Sequence, residues 1–425
     1  MAGPEKRDWM IFRFSLYGFL KNQRYFESFL YLAFLQAGMT YFQIGWLVAF
    51  REICINIMET PSGAFADVWG RRRSMILSFA FYVLSFVLFS FGTSYWQFFP
   101  GMFFFAVGEA FRTGTHKAMI FDWLKQQGRT KEKTKVYGFT RSWSQYGSAV
   151  SVIIGALIVF LTENYRHVFW ICIPAYLANI INFMGYPASL DGTTESKIPS
   201  LGQIFRVTWD SFRQTVSRAS TRGLLIESAL YDGIFSLAKD YLQPALKAAA
   251  LSLPIMVSLS GERRTAAAVG VVFFGVYILT GQASRRAHVL SERAGGDYQA
   301  ARIIWLISLF GYAALVPLLL TGLEIAAILL FVALYALDNL WSPTILSRYN
   351  VFVDSGSTAT VLSIDSQVNR IVTVALAPLL GYAVDRGGLW TVGAFGAAVA
   401  SVGTIINIRS ARHVAELSGA KGETQ

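Results

Sequence analysis

Three polar triads stand inside apolar runs of this chain: Lys21, Arg24 and Glu27; Glu109, Arg112 and His116; and Asp232, Lys239 and Gln243. Residues three, four or seven apart share one face of a helix, so each triad is expected to form a single polar stripe. Stripes carrying both signs of charge can bind a charged or amphiphilic solute, and a carboxylate among them can load and release a proton. Asp240 and Asp338 extend the charged set. Asn22, Asn339, Arg141, Gln145, Asp365, Asn369 and Arg370 add polar capacity, and Tyr25, Trp143 and Tyr241 offer rings for stacking. Arg51 with Glu52, and Glu109 with Arg112, also read as structural ion pairs. Bond-making chemistry is not expected, because there is no nucleophile paired with a histidine, no metal triad and no nucleotide-binding loop. No metal and no cofactor are expected.

Positioning these groups falls to helices that cross a membrane. The 425 residues are 54% hydrophobic and 15% charged, with a mean hydropathy of +0.44, against roughly 25% charged in an average soluble domain. Twelve apolar runs approach the ~20 residues that span a hydrocarbon core. They are Met10–Gln36, Phe42–Phe65, Ser74–Thr93, Gln97–Met119, Tyr137–Leu161 and Val168–Tyr186, then Leu224–Leu246, Ala266–Gly281, Ile303–Thr321, Glu324–Leu346, Val361–Val384 and Leu389–Asn407. The polar stretch 188–222, amphipathic between Leu201 and Val216, reads as a cytoplasmic connector between halves at 1–187 and 223–425. No alternating barrel pattern occurs. The N-terminus lacks a cleavage site after a short apolar core, so the first span is expected to stay. Both cysteines, Cys54 and Cys172, lie in apolar runs and read as buried free thiols.

With the N-terminus inside, the bases obey the positive-inside rule. Inner loops carry Arg71–Arg73, Lys125–Lys135, the connector, Arg285, Arg286 and Arg293, and Arg409 and Arg412. The net charge of +11 is thus strung between spans as an orientation signal, and nucleic acid is not an expected partner. Internal repetition supports the count of six plus six. RYFESFL at Arg24–Leu30 lines up with DYLQPAL at Asp240–Leu246, and a nearly equal shift sets Gly63 opposite Gly281 and Asp67 opposite Arg285.

Charge placement has period three. Spans 3, 6, 9 and 12 carry no Asp, Glu, Lys or Arg in their cores, whereas spans 1, 4, 7 and 10 do. A charge at the bilayer centre costs about 2.5–3.5 kcal/mol on insertion scales, so such residues face water, partners or a ligand. The first helix of each triplet is therefore expected to line a hydrated cavity, and the third to face lipid.

GAFADVWGRRR, Gly63 to Arg73, resembles the signature of the major facilitator superfamily, Gly-x-x-x-Asp-x-x-Gly-Arg-(Lys/Arg)-x-(Lys/Arg), with Ser74 in place of the last base. With the duplicated topology the resemblance covers essentially the whole chain. It implies an all-α membrane protein whose twelve transmembrane helices form two six-helix bundles related by a pseudo-two-fold axis. It also implies alternating access around a midplane site. In that reading Gly63, Asp67, Gly70, Arg71, Arg72 and Arg73 form a cytoplasmic gating signature, with Asp67 as a latch. The chain departs from the family's proton-antiporter pattern. Span 5, YGSAVSVIIGALI, has Gly147 and Gly155 but no proline; Phe104 replaces the characteristic span 4 arginine, with Arg112 two turns on as its substitute. The subfamily is not identified.

The expected function is secondary active transport of a small organic solute across the cytoplasmic membrane, by a monomer with both termini inside. Proton-coupled export comes first. An uptake symporter or uniporter is the alternative, and a membrane sensor or enzyme on the same scaffold is the alternative of another class. Glu27 is the first candidate for proton coupling, with Asp232, Asp240 and Glu109 as rivals. The expected solute site is drawn from Lys21, Asn22, Arg24, Tyr25, Arg112, Arg141, Gln145, Lys239, Gln243, Asp338, Asn339, Asp365 and Arg370.

Overall fold

The computed structural model describes residues 4–191, 201–217, 219–254, 256–350 and 358–422. Among them regular structure is helical throughout. The α-helices are α1 (Pro4–Lys21), α2 (Leu30–Gln36), α3 (Tyr41–Trp69), α4 (Arg71–Phe91), α5 (Phe98–Arg112), α6 (Thr115–Gln126), α7 (Lys133–Thr162), α8 (His167–Met184) and α9 (Leu201–Ser217). They continue with α10 (Ala219–Ala238), α11 (Leu242–Ser252), α12 (Gly261–Arg285), α13 (Ala287–Ala294), α14 (Asp297–Leu320), α15 (Glu324–Asn350), α16 (Thr358–Gly387) and α17 (Trp390–Gly422).

Among the described residues, eight helices are long and apolar enough to cross a membrane: α4, α7, α8, α12, α14, α15, α16 and α17. They are spans 3, 5, 6 and 8 to 12 of the sequence reading. Span 2 is the single helix α3, its apolar run diluted by Arg51, Glu52 and Asn56. Spans 1, 4 and 7 are each interrupted, at residues 22–29, 113–114 and 239–241. The amphipathic part of the connector is α9; residues 192–200 of it lie outside the described residues.

The chain packs as two compact units, one of Met1–Met39, Phe50–Arg206 and Ile255–Tyr277, the other of Thr40–Ala49, Val207–Pro254 and Ile278–Gln425. In the first unit α4 packs on α5 and α8, and α1 on α7 and α8. Lipid gives helices little hydrophobic reason to associate, so close contact and buried hydroxyl bonds hold such seams. Along α4, Ser78 donates to the Gly108 carbonyl at 2.6 Å and Ser85 to the Gly101 carbonyl at 2.8 Å. Ile255–Tyr277 joins this unit through Arg263, which pairs with Glu163 at 3.0 Å and donates to the Phe160 carbonyl at 3.1 Å.

In the second unit α14 packs on α15 and α17, and α10 on α16 and α17. Gly396 and Gly403 of α17 leave room for the rings of Tyr312 and Trp305. The first turn of α3 also docks here. Asp385, near the end of α16, accepts the backbone N–H groups of Tyr41 at 2.9 Å and Phe42 at 2.8 Å. A helix N-terminus exposes unsatisfied N–H groups and a partial positive charge, and this carboxylate answers both.

Candidate functional site

Span 1 breaks where its charges are. Helix α1 ends at Lys21, and the chain is irregular until Leu30. Open backbone at membrane depth is tolerated only where each polar group finds a partner. The Phe19 carbonyl takes the Asn22 N–H (3.2 Å) and Gln23 Nε2 (3.1 Å), the Leu20 carbonyl takes the Gln23 N–H (3.1 Å), and the Lys21 carbonyl takes the Tyr176 hydroxyl (3.1 Å). Asn22 and Gln23 also donate to the Ser144 and Gly147 carbonyls of α7, at 2.6 and 3.2 Å. Glycine is needed in α7 because a Cβ at Gly147 would sit 2.5 Å from the Phe19 carbonyl oxygen, and one at Gly155 2.8 Å from that of Tyr25. The single helical stripe expected of Lys21, Arg24 and Glu27 is therefore corrected: only Lys21 is helical, and Glu27 is exposed.

Span 4 breaks at Thr113–Gly114, where Gly114 takes φ 77°, a conformation that suits glycine. Just before the break, Glu109 gathers three donors: Arg24 at 3.1 Å, Arg112 and the Tyr82 hydroxyl. Arg112 also reaches the Tyr82 oxygen at 3.3 Å. Just after it, His116 stacks on Tyr17 with ring centroids 3.7 Å apart, and its Nε2 lies 3.4 Å from the Tyr186 hydroxyl. A cavity of about 400 Å³ opens among α1, the α5–α6 junction and α7, within the size range of small-molecule sites. Its polar lining includes Lys21, Asn22, Arg112, Lys117, Arg141 and Gln145. Tyr25 is buried beside it in sequence but does not line it.

The second unit repeats the device. Helix α10 ends at Ala238, a 3-10 turn covers Lys239–Tyr241, and α11 follows. Pro244 supplies the cause: it has no N–H for the carbonyl four residues earlier, and its ring crowds that carbonyl. The Lys239 carbonyl takes the Tyr335 hydroxyl at 3.1 Å, as Lys21 takes that of Tyr176. Asp232 accepts from Asn369 at 2.8 Å and Ser228 at 3.4 Å. Asp365 accepts from Tyr349 at 2.7 Å. Asp338 and Lys239 are both half-buried. Asn339 donates back to the Tyr335 carbonyl at 3.0 Å, and Arg370 to Ser366 at 3.3 Å. Asp240 is half-buried, and Gln243 is buried at 1% exposure.

Two features escaped the sequence reading. Glu227 and Arg348 form a fully buried ion pair, joined by Trp305 Nε1 at 3.1 Å and Asn407 Nδ2 at 2.9 Å, with the Arg348 guanidinium 4.2 Å from the Tyr298 ring centroid. Glu227 was legible as an acid at the head of span 7; Arg348 fell two residues past the expected end of span 10. Asp191 is the second. It accepts the Arg72 N–H at 2.9 Å, its carbonyl accepts the Arg71 N–H at 3.2 Å, and its carboxylate lies 3.5 Å from Arg72 Nε.

Asp191 thereby caps the helix that the signature opens. Gly63 and Asp67 belong to the last turns of α3, and the loop shrinks to Gly70, at φ 108°. Arg71 lies 3.6 Å from Asp67 and also pairs with Asp122; Arg72 reaches the Tyr186 carbonyl at 3.1 Å, and Arg73 is exposed. The side chain of Arg285, the expected counterpart of Asp67, lies outside what is described.

A family model described as the Major Facilitator Superfamily matches residues 25–407. The chain belongs to the Major Facilitator Superfamily. It is a multi-pass membrane transporter, not an enzyme. No curated protein matches its sequence. Among solved structures it is similar to a mutant of the nucleoside transporter NupG, with 14% identity, 94% of this chain and 99% of that one covered, and a TM-score of 0.76. It is also similar to a POT family transporter in complex with a thioalcohol-conjugated peptide (14% identity, 96% of each chain, TM-score 0.71) and to the peptide transporter POT in complex with sulfate (12%, 95% of each, 0.70). At such identities the likeness shows the superfamily's twelve-helix fold.

Proposed function

We propose that this superfamily member is a proton-coupled secondary transporter of a small organic solute. It works as a monomer in the cytoplasmic membrane with both termini inside, and the halves 1–187 and 223–425, joined by the connector 188–222, are its moving bodies. One observation carries the reading: spans 1 and 7 are interrupted at matching places, after Lys21 and at Lys239, and a tyrosine hydroxyl takes the lysine carbonyl at each. Paired discontinuous helices mark the midplane solute and ion sites of duplicated transporters. The structural relatives named for nucleosides and peptides fit a polar organic cargo.

Asp232 now leads as the proton site. Its partners, Asn369 and Ser228, are neutral, so a proton can come and go there without breaking an ion pair. Glu109 is tied by two guanidinium groups, and Glu27 stands exposed in the irregular segment. Export, first in the sequence reading, gains no support over uptake from the relatives' names.

The test reconstitutes the chain into liposomes containing a pH-sensitive dye and adds nucleosides, dipeptides and organic acids outside. Solute-dependent acidification of the interior marks symport, and alkalinisation marks antiport. Asp232→Asn should abolish pH-driven transport while solute exchange at equal pH survives. Solute movement with no pH change, in wild type, would overturn the coupling.

A further inference from the structure

We infer that the solute carries an anionic group, a carboxylate or a phosphate ester, held in the first unit by Lys21 with Arg112 and Arg141. The inference rests on the transport reading above and names its cargo. Four cations line the cavity among α1, the α5–α6 junction and α7: Lys21, Arg112, Lys117 and Arg141. Among the described residues no acid lines it. Glu109, the carboxylate paired with the lining Arg112, is already divided among Arg112, Arg24 and Tyr82. Lys117 rests over the rings of Phe121 and Tyr137. Neither the Lys21 nor the Arg141 side chain has a hydrogen bond or ion pair among the described residues.

Such an imbalance is costly at membrane depth, where charges are normally paired or face a ligand. Lys21 is placed at the C-terminal end of α1, whose partial negative charge favours a cation, and its backbone is fixed by the Tyr176 hydroxyl. The ammonium is thus held ready with no direct hydrogen bond or ion pair from the described residues. An entering anion supplies one, and Arg112, braced by Glu109, adds a planar donor suited to carboxylate or phosphate oxygens. A cationic solute would be repelled by these four cations. The volume of about 400 Å³ exceeds a bare inorganic ion, and the walls contributed by Phe14, Tyr17 and Tyr137 suit an organic remainder.

The test needs no gradient, which separates its failure from failure of proton coupling. Calorimetry on the detergent-purified full chain compares matched probes: succinate with succinamide, phenyl phosphate with phenol, plus tetraethylammonium and inorganic phosphate. The anionic member of at least one pair should bind, and its neutral partner and the cation should not. Lys21→Met should weaken that binding at least about tenfold, the scale of one lost charge-assisted hydrogen bond, and Lys21→Arg should retain most of it. Thermal unfolding without ligand checks that both variants fold. Binding of no anion, equal binding of neutral partners, indifference to Lys21→Met, or phosphate binding as tightly as every organic anion would each overturn the inference.

Discussion

Arg348 donates to both carboxylate oxygens of Glu227, at 2.8 and 2.6 Å, and neither side chain is exposed. With Trp305 and Asn407 on the same carboxylate, the pair fastens α10, α14, α15 and α17 at one point. A buried pair contributes little net stability over an apolar replacement, but breaking one partner leaves an uncompensated charge.

Glu227→Gln or Arg348→Met alone should therefore destabilise the protein by about 3–5 kcal/mol. The double variant Glu227→Leu with Arg348→Met should recover much of that loss. Denaturant unfolding in detergent measures both, and additive losses would show that the two residues do not act as a pair.

The two acids of the signature region should behave differently. Asp67 is 64% exposed and 3.6 Å from Arg71, a pair worth at most about 1 kcal/mol, so Asp67→Asn should leave unfolding almost unchanged while slowing turnover at unaltered solute affinity. Asp191 caps α4, and Asp191→Ala should cost about 0.5–2 kcal/mol and speed hydrogen exchange at the Arg71 and Arg72 amides. Wild-type turnover in Asp67→Asn would remove the latch role.

Water access can be read by cysteine labelling in a background lacking Cys54 and Cys172. Cysteines at Asn22 and Asn339 should react with water-soluble maleimides. Cysteines at Leu84 and Phe310, 40% and 69% exposed on the bare protein, should not, because that exposure is to lipid. Gln243→Cys should react slowly, since the side chain is buried at 1% exposure. Equal labelling at all positions would contradict the assignment of lipid-facing and water-facing helices.

Span number, duplication and the signature were legible because each is a one-dimensional property. Bilayer thickness sets the length of an apolar run, and a duplicated gene repeats its order of spans. The interruption of span 1 was not legible in that way. Pro61, Pro174, Pro317, Pro343 and Pro378 all lie inside unbroken helices, whereas span 1 breaks with no proline or glycine between Lys21 and Leu30. Its open carbonyls are tolerated because Tyr176, 155 residues away, and the side chain of Gln23 reach them, and no local pattern encodes a donor that distant. The same holds for charge. Composition placed Lys21, Arg112 and Glu109 in the membrane, but which cation is neutralised depends on where Arg24 and Tyr82 arrive in space. That choice leaves Glu109 with three donors and the Lys21 ammonium facing a cavity with no acid among its described lining residues.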